Sequence, residues 1–326
     1  MRMVPWLAGG SLLYRQMTKP KEANECCGIV GYLGNQDKGG KVCIQGLKIL
    51  ESRGYDSCGI VSITHDDDNQ PVFKTTKFAS TKRFGGDCIQ RMALEGVGNH
   101  NHNIAIGHTR WATHGDKTDI NAHPHFDRLG RIAIVHNGVI ENYHALKCDL
   151  KDNHGIIPVS ETDTEIIAQV IGLELDNGLE LSEAIKAGTD RLLGTFSIVL
   201  ISILEPDVMY VVKNTGAMVI GVSDGLQAGD HEVQTVFEEE KKSTSKMTTK
   251  SKPKAKKDNH QFQIVASDTT VFQDYTKGYY NIEDREMLKI SLDKKVESTK
   301  LKKVEGQKVI VDLPPEFNHY YTMEMC

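Results

Sequence analysis

The feature that most constrains this chain is a succession of short apolar runs rich in β-branched residues. They fall over 29–33, 59–63, 104–108, 131–136, 195–203, 208–213, 217–222 and 262–266, and most are bounded by Gly, Asn or Asp. Runs of that length and composition, with turn residues at their ends, predict β-strands. Several follow one another with no helical pattern between them, which predicts antiparallel pairing. Helical periodicity is sparser. Over 41–51, Val42, Gly46, Leu47 and Leu50 fall near one face. Over 181–193 a second helix is predicted. Between these lie two overlapping capping-box patterns, Ser160 to Asp163 and Thr162 to Glu165, followed by Ile166, Ile167, Val170 and Ile171. Strands with a few interspersed helices predict a layered α/β fold with sheets at its centre.

A chain of 326 residues that is 39% hydrophobic can build a substantial core. Its net charge of -5 gives no reason to expect nucleic acid as a partner, and is too small for a disordered acidic chain. No stretch reaches the roughly 18 to 20 apolar residues that span a bilayer, so no membrane partner is expected. The seven Cys are irregularly spaced with no CxxC pair, which argues against a zinc ribbon or redox motif. The expectation is a reduced, cytoplasmic protein whose Cys are mostly small core residues. Composition changes over 227–260, where eight Lys fall between 241 and 257 among Ser and Thr without apolar periodicity. This is read as a Lys-rich disordered surface insertion.

Four segments carry chemistry. His108-Thr109-Arg110-Trp111-Ala112-Thr113-His114-Gly115 follows a strand, where loops commonly form sites. Arg110 can grip a carboxylate in a bidentate fork, Trp111 can supply a wall, and Thr and His can hydrogen-bond; a structural loop with a surface Arg fits equally. His136-Asn137-Gly138 follows another strand. Taken alone it reads as a turn, although an Asn amide and a Gly N–H can also form an oxyanion hole. Asp163, at a helix start, suits the helix dipole or a substrate ammonium. Cys26-Cys27 precedes Gly28-Ile29-Val30-Gly31 at the first strand. A Cys there is a core residue or a nucleophile. The two His of Asn121 to His125 match no strong zinc spacing, and no metal is expected.

Cys27-Gly28-Ile29-Val30-Gly31, Arg53-Gly54-Tyr55-Asp56-Ser57, Gly107 to Gly115, Asn121-Ala122-His123-Pro124-His125, His136-Asn137-Gly138 and Ser160 to Glu165 occur in that order. Together they resemble the class II glutaminase domain of the glutamine–fructose-6-phosphate aminotransferases, from Cys27 to about Leu313. Trp111 to His114 separates the pattern from that of the amidophosphoribosyltransferases. The resemblance implies an N-terminal-nucleophile (Ntn) hydrolase fold, a four-layer αββα sandwich with two stacked, mainly antiparallel sheets. It implies Cys27 as nucleophile and Asn137 with Gly138 as oxyanion hole. It also implies Arg110 on the glutamine α-carboxylate and Asp163 on its α-ammonium. Trp111, Thr113 and His114 would complete the pocket, and Arg53 and His123 would support it. No cofactor is implied. The partners implied are L-glutamine and a sugar-phosphate isomerase domain or subunit that binds fructose 6-phosphate.

The nucleophile in such domains is activated by its own α-amine, whose pKa of about 7.7 to 8.0 leaves it partly unprotonated at neutral pH. Here 26 residues precede Cys27. The expectation is a leader over 1–26, disordered or removed, a glutaminase domain over 27–313, and over 314–326 the start of a linker to an absent isomerase domain. Cys26 is a rival nucleophile, but one residue off register, which turns its side chain to the opposite face. The competing expectations are an inactive glutamine-binding homologue with a blocked nucleophile, and the glutaminase domain of another amidotransferase such as amidophosphoribosyltransferase.

Overall fold

The computed structural model describes residues 27–81, 86–95, 100–112, 115–223, 234–235, 260–293 and 296–301. The leader, the linker and most of the Lys-rich stretch lie outside the described residues.

Two sheets stack face to face. The first has eight strands in the order β10-β12-β9-β11-β1-β4-β2-β3, formed by β1 (Gly28–Gly34), β2 (Ser57–His65), β3 (Pro71–Ala79), β4 (Ile104–Arg110), β9 (Val219–Val222), β10 (Gln234–Thr235), β11 (Phe262–Ala266) and β12 (Gly278–Asn281). The second has six in the order β14-β13-β8-β7-β6-β5, formed by β5 (His125–Phe126), β6 (Ile132–Ile140), β7 (Gly194–Ser202), β8 (Glu205–Lys213), β13 (Glu286–Ile290) and β14 (Glu297–Lys300). Neighbouring strands pair antiparallel, as the short connections predict. Helices α1 (Gly39–Ile49) and α2 (Cys88–Glu95) cover the first sheet. Helices α3 (Tyr143–His154), α4 (Asp163–Asp176) and α5 (Leu181–Thr189) cover the second. The expected four-layer αββα sandwich is the observed fold.

Three apolar layers follow from the period-2 alternation of the strands. Ile29 and Leu33 of β1, Ile104 and Ile106 of β4, Ala133 and Val135 of β6, and Val199 and Ile201 of β7 meet between the sheets. The residues between them point outward. Val30 and Tyr32 pack on α1, while Ile132 and Ile134 pack beneath α4. Helix α4 is therefore central, and 163–173 are buried on every side. Its start shows how the overlapping capping patterns resolve. Thr162 is the N-cap and accepts the Glu165 N–H at 3.2 Å. The Glu165 carboxylate does not return to Thr162, whose N–H already donates to Ser160 Oγ at 3.3 Å. It accepts instead from the N–H groups of Val159 and Ser160, tying down the chain that enters the helix.

Two readings need correction. Asn137-Gly138 is not a turn: β6 runs through both residues, which pair with Ser197 and Phe196 of β7. Within 227–260, Gln234–Thr235 form β10 against β12, so the disordered reading fails for those two residues.

Ile106 sits fully buried in the layer between the sheets. Ile106→Ala is expected to lower unfolding free energy by about 2–5 kcal/mol, from lost transfer energy and the cavity left behind. Urea denaturation measures it, and a loss below about 1 kcal/mol would mean that the sheets collapse onto the gap.

Candidate active site

The apolar layer between the sheets ends in polar residues on the same faces. Along β4 the inward positions run Ile104, Ile106, His108, Arg110, and along β6 they run Ala133, Val135, Asn137. Cys27 precedes β1 in the parity of Ile29, so its side chain turns to this layer as well. Cys27, Arg110, Trp111, His123, His136, Gly138, Thr162, Asp163 and Thr164 line one small cleft at that end. A larger open groove of about 550 Å³ on the outer face of α1 is lined by Lys38, Lys41, Lys48 and Tyr275, among others. Its lining contains no Cys, Ser or Thr.

The Cys27 sulfur is partly exposed and accepts the Trp111 N–H at 3.3 Å. A hydrogen bond to sulfur strengthens when the sulfur carries charge. The Cys27 carbonyl accepts from Asn137 Nδ2 at 3.2 Å, so the side-chain amide on β6 lies directly against Cys27. Beside it Gly138 adopts φ +130, and a Cβ there would meet the Thr195 carbonyl oxygen at 2.0 Å. Only glycine fits this position.

Arg110, 3% exposed, closes the other side. Its guanidinium donates to the carbonyls of Gly115 and Asp116, each at 3.4 Å. Asp163 is the first residue of α4, and its Oδ2 accepts the Ile140 N–H at 3.0 Å. The two side chains thus face one cleft, one from the end of a strand of the first sheet and the other from the start of α4. Trp111, 39% exposed, forms the rim and packs edge-on against Tyr55 with centroids 5.0 Å apart. Asp56 accepts the Ala112 N–H at 2.9 Å and pairs with Lys117, fixing the backbone after Trp111.

Of the remaining expected residues, Thr113 and His114 lie outside the described residues. Arg53 does not line the cleft; it donates to the Ser267 carbonyl at 3.1 Å and pairs with Asp268. Ser267 in turn bonds the Ile29 backbone, so Arg53 braces the start of β1 from behind. His123 lies under the cleft, with Nε2 2.7 Å from Thr164 Oγ1. The same hydroxyl is 3.0 Å from His136 Nδ1 and 3.5 Å from Asp163 Oδ1. His108, 3.1 Å from Asn137 Oδ1, and the Thr164 hydroxyl are groups of the site that the motifs contained without revealing their contacts. The signal for His108 was its parity with Ile104 and Ile106.

Burial pushes His108 down to about 3 and holds His123 and His125 well below the usual histidine range. The imidazoles beneath the site are therefore neutral. Among the described residues no group of His, Cys, Asp and Glu is arranged to hold a metal ion.

Residues 84–211 match the glutamine amidotransferase domain. The glutamine–fructose-6-phosphate aminotransferase [isomerizing] of Thermococcus kodakarensis is 39% identical over 212 residues, 65% of this chain and 33% of that protein. That of Staphylococcus aureus is 34% identical over 274 residues, 82% of this chain and 36% of that protein. Among solved structures, glutamine phosphoribosylpyrophosphate amidotransferase from B. subtilis superposes with a TM-score of 0.61 at 23% identity, covering 85% of this chain and 50% of that one. At that identity the likeness establishes the fold. Residues 84–211 are thus similar to a glutamine amidotransferase domain, on a four-layer αββα sandwich. By sequence the chain is similar to the glutamine–fructose-6-phosphate aminotransferases, and it spans about a third of the length of these relatives.

The buried imidazoles predict how stability depends on pH. His100, bonded to Ser62 and Thr76, is pushed down to about 4. A histidine with a folded pKa below its unfolded value of about 6.5 takes up a proton more readily once unfolded. The stability it contributes is complete above about pH 6.5 and is lost as pH falls toward the folded pKa. Denaturation free energy should therefore fall steadily from about pH 7 to about pH 4. A flat profile there would mean that these rings gain protons without unfolding.

Proposed function

We propose that this chain hydrolyses L-glutamine to glutamate and ammonia as the glutaminase half of a glutamine–fructose-6-phosphate aminotransferase. The observation that carries the proposal is the convergence of Cys27, Arg110, Gly138 and Asp163 on one cleft, with the Asn137 amide against Cys27.

In this reading Arg110 holds the glutamine α-carboxylate and Asp163 the α-ammonium, leaving the side-chain amide at Cys27. The α-amine of Cys27 takes the thiol proton, and the sulfur attacks the amide carbon. The carbonyl oxygen becomes an oxyanion, held by Asn137 Nδ2–H and the Gly138 N–H. Asn137 has a second Nδ2 hydrogen for this, besides the one donated to the Cys27 carbonyl. The proton then passes from the α-ammonium to the leaving nitrogen, the C–N bond breaks, and ammonia departs. Water attacks the thioester, giving glutamate and restoring the thiol. Trp111, Thr113 and His114 complete the pocket, while Arg53 and His123 support it from behind. The ammonia serves amino-sugar synthesis in the cytoplasm, where a sugar-phosphate isomerase domain binding fructose 6-phosphate receives it to form glucosamine 6-phosphate.

The mechanism needs a free amine on Cys27, because an amide nitrogen has no basic lone pair to offer. Intact mass and N-terminal sequencing of the protein from its native cells, with a glutamate-release assay on the same sample, test this. A chain beginning at Cys27 is expected to hydrolyse glutamine and to lose the activity on Cys27→Ala. A chain with residues still attached before Cys27, or one that begins there and is inert, would overturn the proposal in favour of a glutamine-binding homologue. Asn137→Ala is expected to lower kcat by about 100- to 1000-fold, as loss of one oxyanion donor does. Steady-state kinetics showing a change confined to KM would place Asn137 in substrate binding instead.

A further inference from the structure

The hydrolysis drawn above leaves one buried group without a task. His108 is fully buried on the inward face of β4, and its Nε2 lies 3.1 Å from Asn137 Oδ1. We propose that His108 is a positioning residue that locks the flip state of the Asn137 amide, so that Nδ2 rather than Oδ1 faces the reacting carbon. The activity arm of this inference rests on the glutaminase reading.

The argument uses only what each atom can donate or accept. The Cys27 carbonyl, 3.2 Å from the amide, has lone pairs and no hydrogen, so the amide atom facing it is Nδ2. Oδ1 is then turned toward His108. An amide oxygen only accepts, so His108 Nε2 carries the hydrogen. The ring is neutral and its Nδ1 bears a lone pair. Nδ1 makes no hydrogen bond of normal geometry, although the His136 backbone lies near the ring and favours an N–H, so it is the contact to Asn137 that sets the tautomer. In the opposite flip, Oδ1 would face the Cys27 carbonyl oxygen. Two acceptors would then be opposed, and no amide hydrogen would be left for an oxyanion.

The ring itself has little freedom. It stacks on His123 with centroids 4.0 Å apart and planes at 31°. His123 is held through Nε2 at Thr164, the residue whose hydroxyl also lies beside Asp163. One line of contacts thus runs from the oxyanion amide through two imidazoles to the residue assigned to the substrate ammonium. The orienting partner comes from the first sheet and the amide from the second, so their bond joins the two sheets at the cleft.

Two readouts test this on the full chain as isolated from its cells. The first needs no activity. Long-range nitrogen–proton NMR of the histidine rings is expected to show His108 with hydrogen on Nε2 and none on Nδ1; the reverse tautomer would overturn the inference while leaving the glutaminase reading intact. The second is a kinetic cycle with His108→Leu, His108→Gln and Asn137→Ala, each checked for its melting temperature. His108→Leu should lower kcat about tenfold, the order of one lost orienting hydrogen bond, with KM nearly unchanged. His108→Gln, which keeps a donor at similar reach, should recover most of that loss. On the Asn137→Ala background, His108→Leu should have no further effect. Equal losses on both backgrounds, or no recovery by Gln, would make His108 a packing residue only. A processed wild-type protein that hydrolyses no glutamine would instead count against the function, and the tautomer measurement would still decide the role of His108.

Discussion

The site depends on the alternation of strand side chains carried to the end of the sandwich. Facing strands bury Ile, Val and Ala between the sheets for most of their length, then place Arg110, His108 and Asn137 on those same faces. Apolar packing holds the two sheets at fixed separation, and this fixes the distance between Cys27 on one sheet and Asn137 on the other. A one-residue slip of β1 would turn Cys27 toward α1 and replace it with a glycine. The hydrophobic layer therefore sets the geometry of the cleft as well as the stability.

Burial gives this end of the molecule its electrostatics. Arg110 and Asp163 are charged groups placed among neutral rings, and their interactions are strengthened by the low local dielectric. Keeping the imidazoles neutral avoids a set of buried positive charges next to Arg110, which would repel it and one another. The hydroxyls of Thr162 and Thr164 satisfy ring nitrogens of His125, His123 and His136 without adding charge. The α4 N-terminus presents Asp163 to the cleft while its first turn is capped by Thr162, so one short segment serves both the helix and the site.

Several of the elements missed in the sequence are short or bury few residues. β3 reads Pro-Val-Phe-Lys-Thr-Thr-Lys-Phe-Ala and is only partly buried, because it is the edge of its sheet and needs no continuous apolar run. α3 buries only Leu146 and Leu150, too few to print a periodic stripe. β10, β12 and β14 are short and take their structure from their neighbours. The Asn137-Gly138 error has the same origin. A dipeptide that prefers a turn is pulled into β6 by nine residues of pairing with β7, and the positive φ of glycine absorbs the distortion.

By itself the sequence determined the layered α/β class, the positions of the long buried strands, the capped start of α4, and a set of ordered motifs specific enough to name a family. These are local: periodicity, caps and residue identity are properties of neighbours along the chain. Only the tertiary structure decided that Asn137 lies against Cys27, that Arg53 contacts β1 through Ser267, and that His108 and the Thr164 hydroxyl stand behind Asn137 and Asp163. The first three of those contacts join segments from 29 to more than 200 residues apart, and the fourth, between neighbours, turns on which face a side chain takes. Both are set by sheet register and stacking, which no short stretch of sequence encodes.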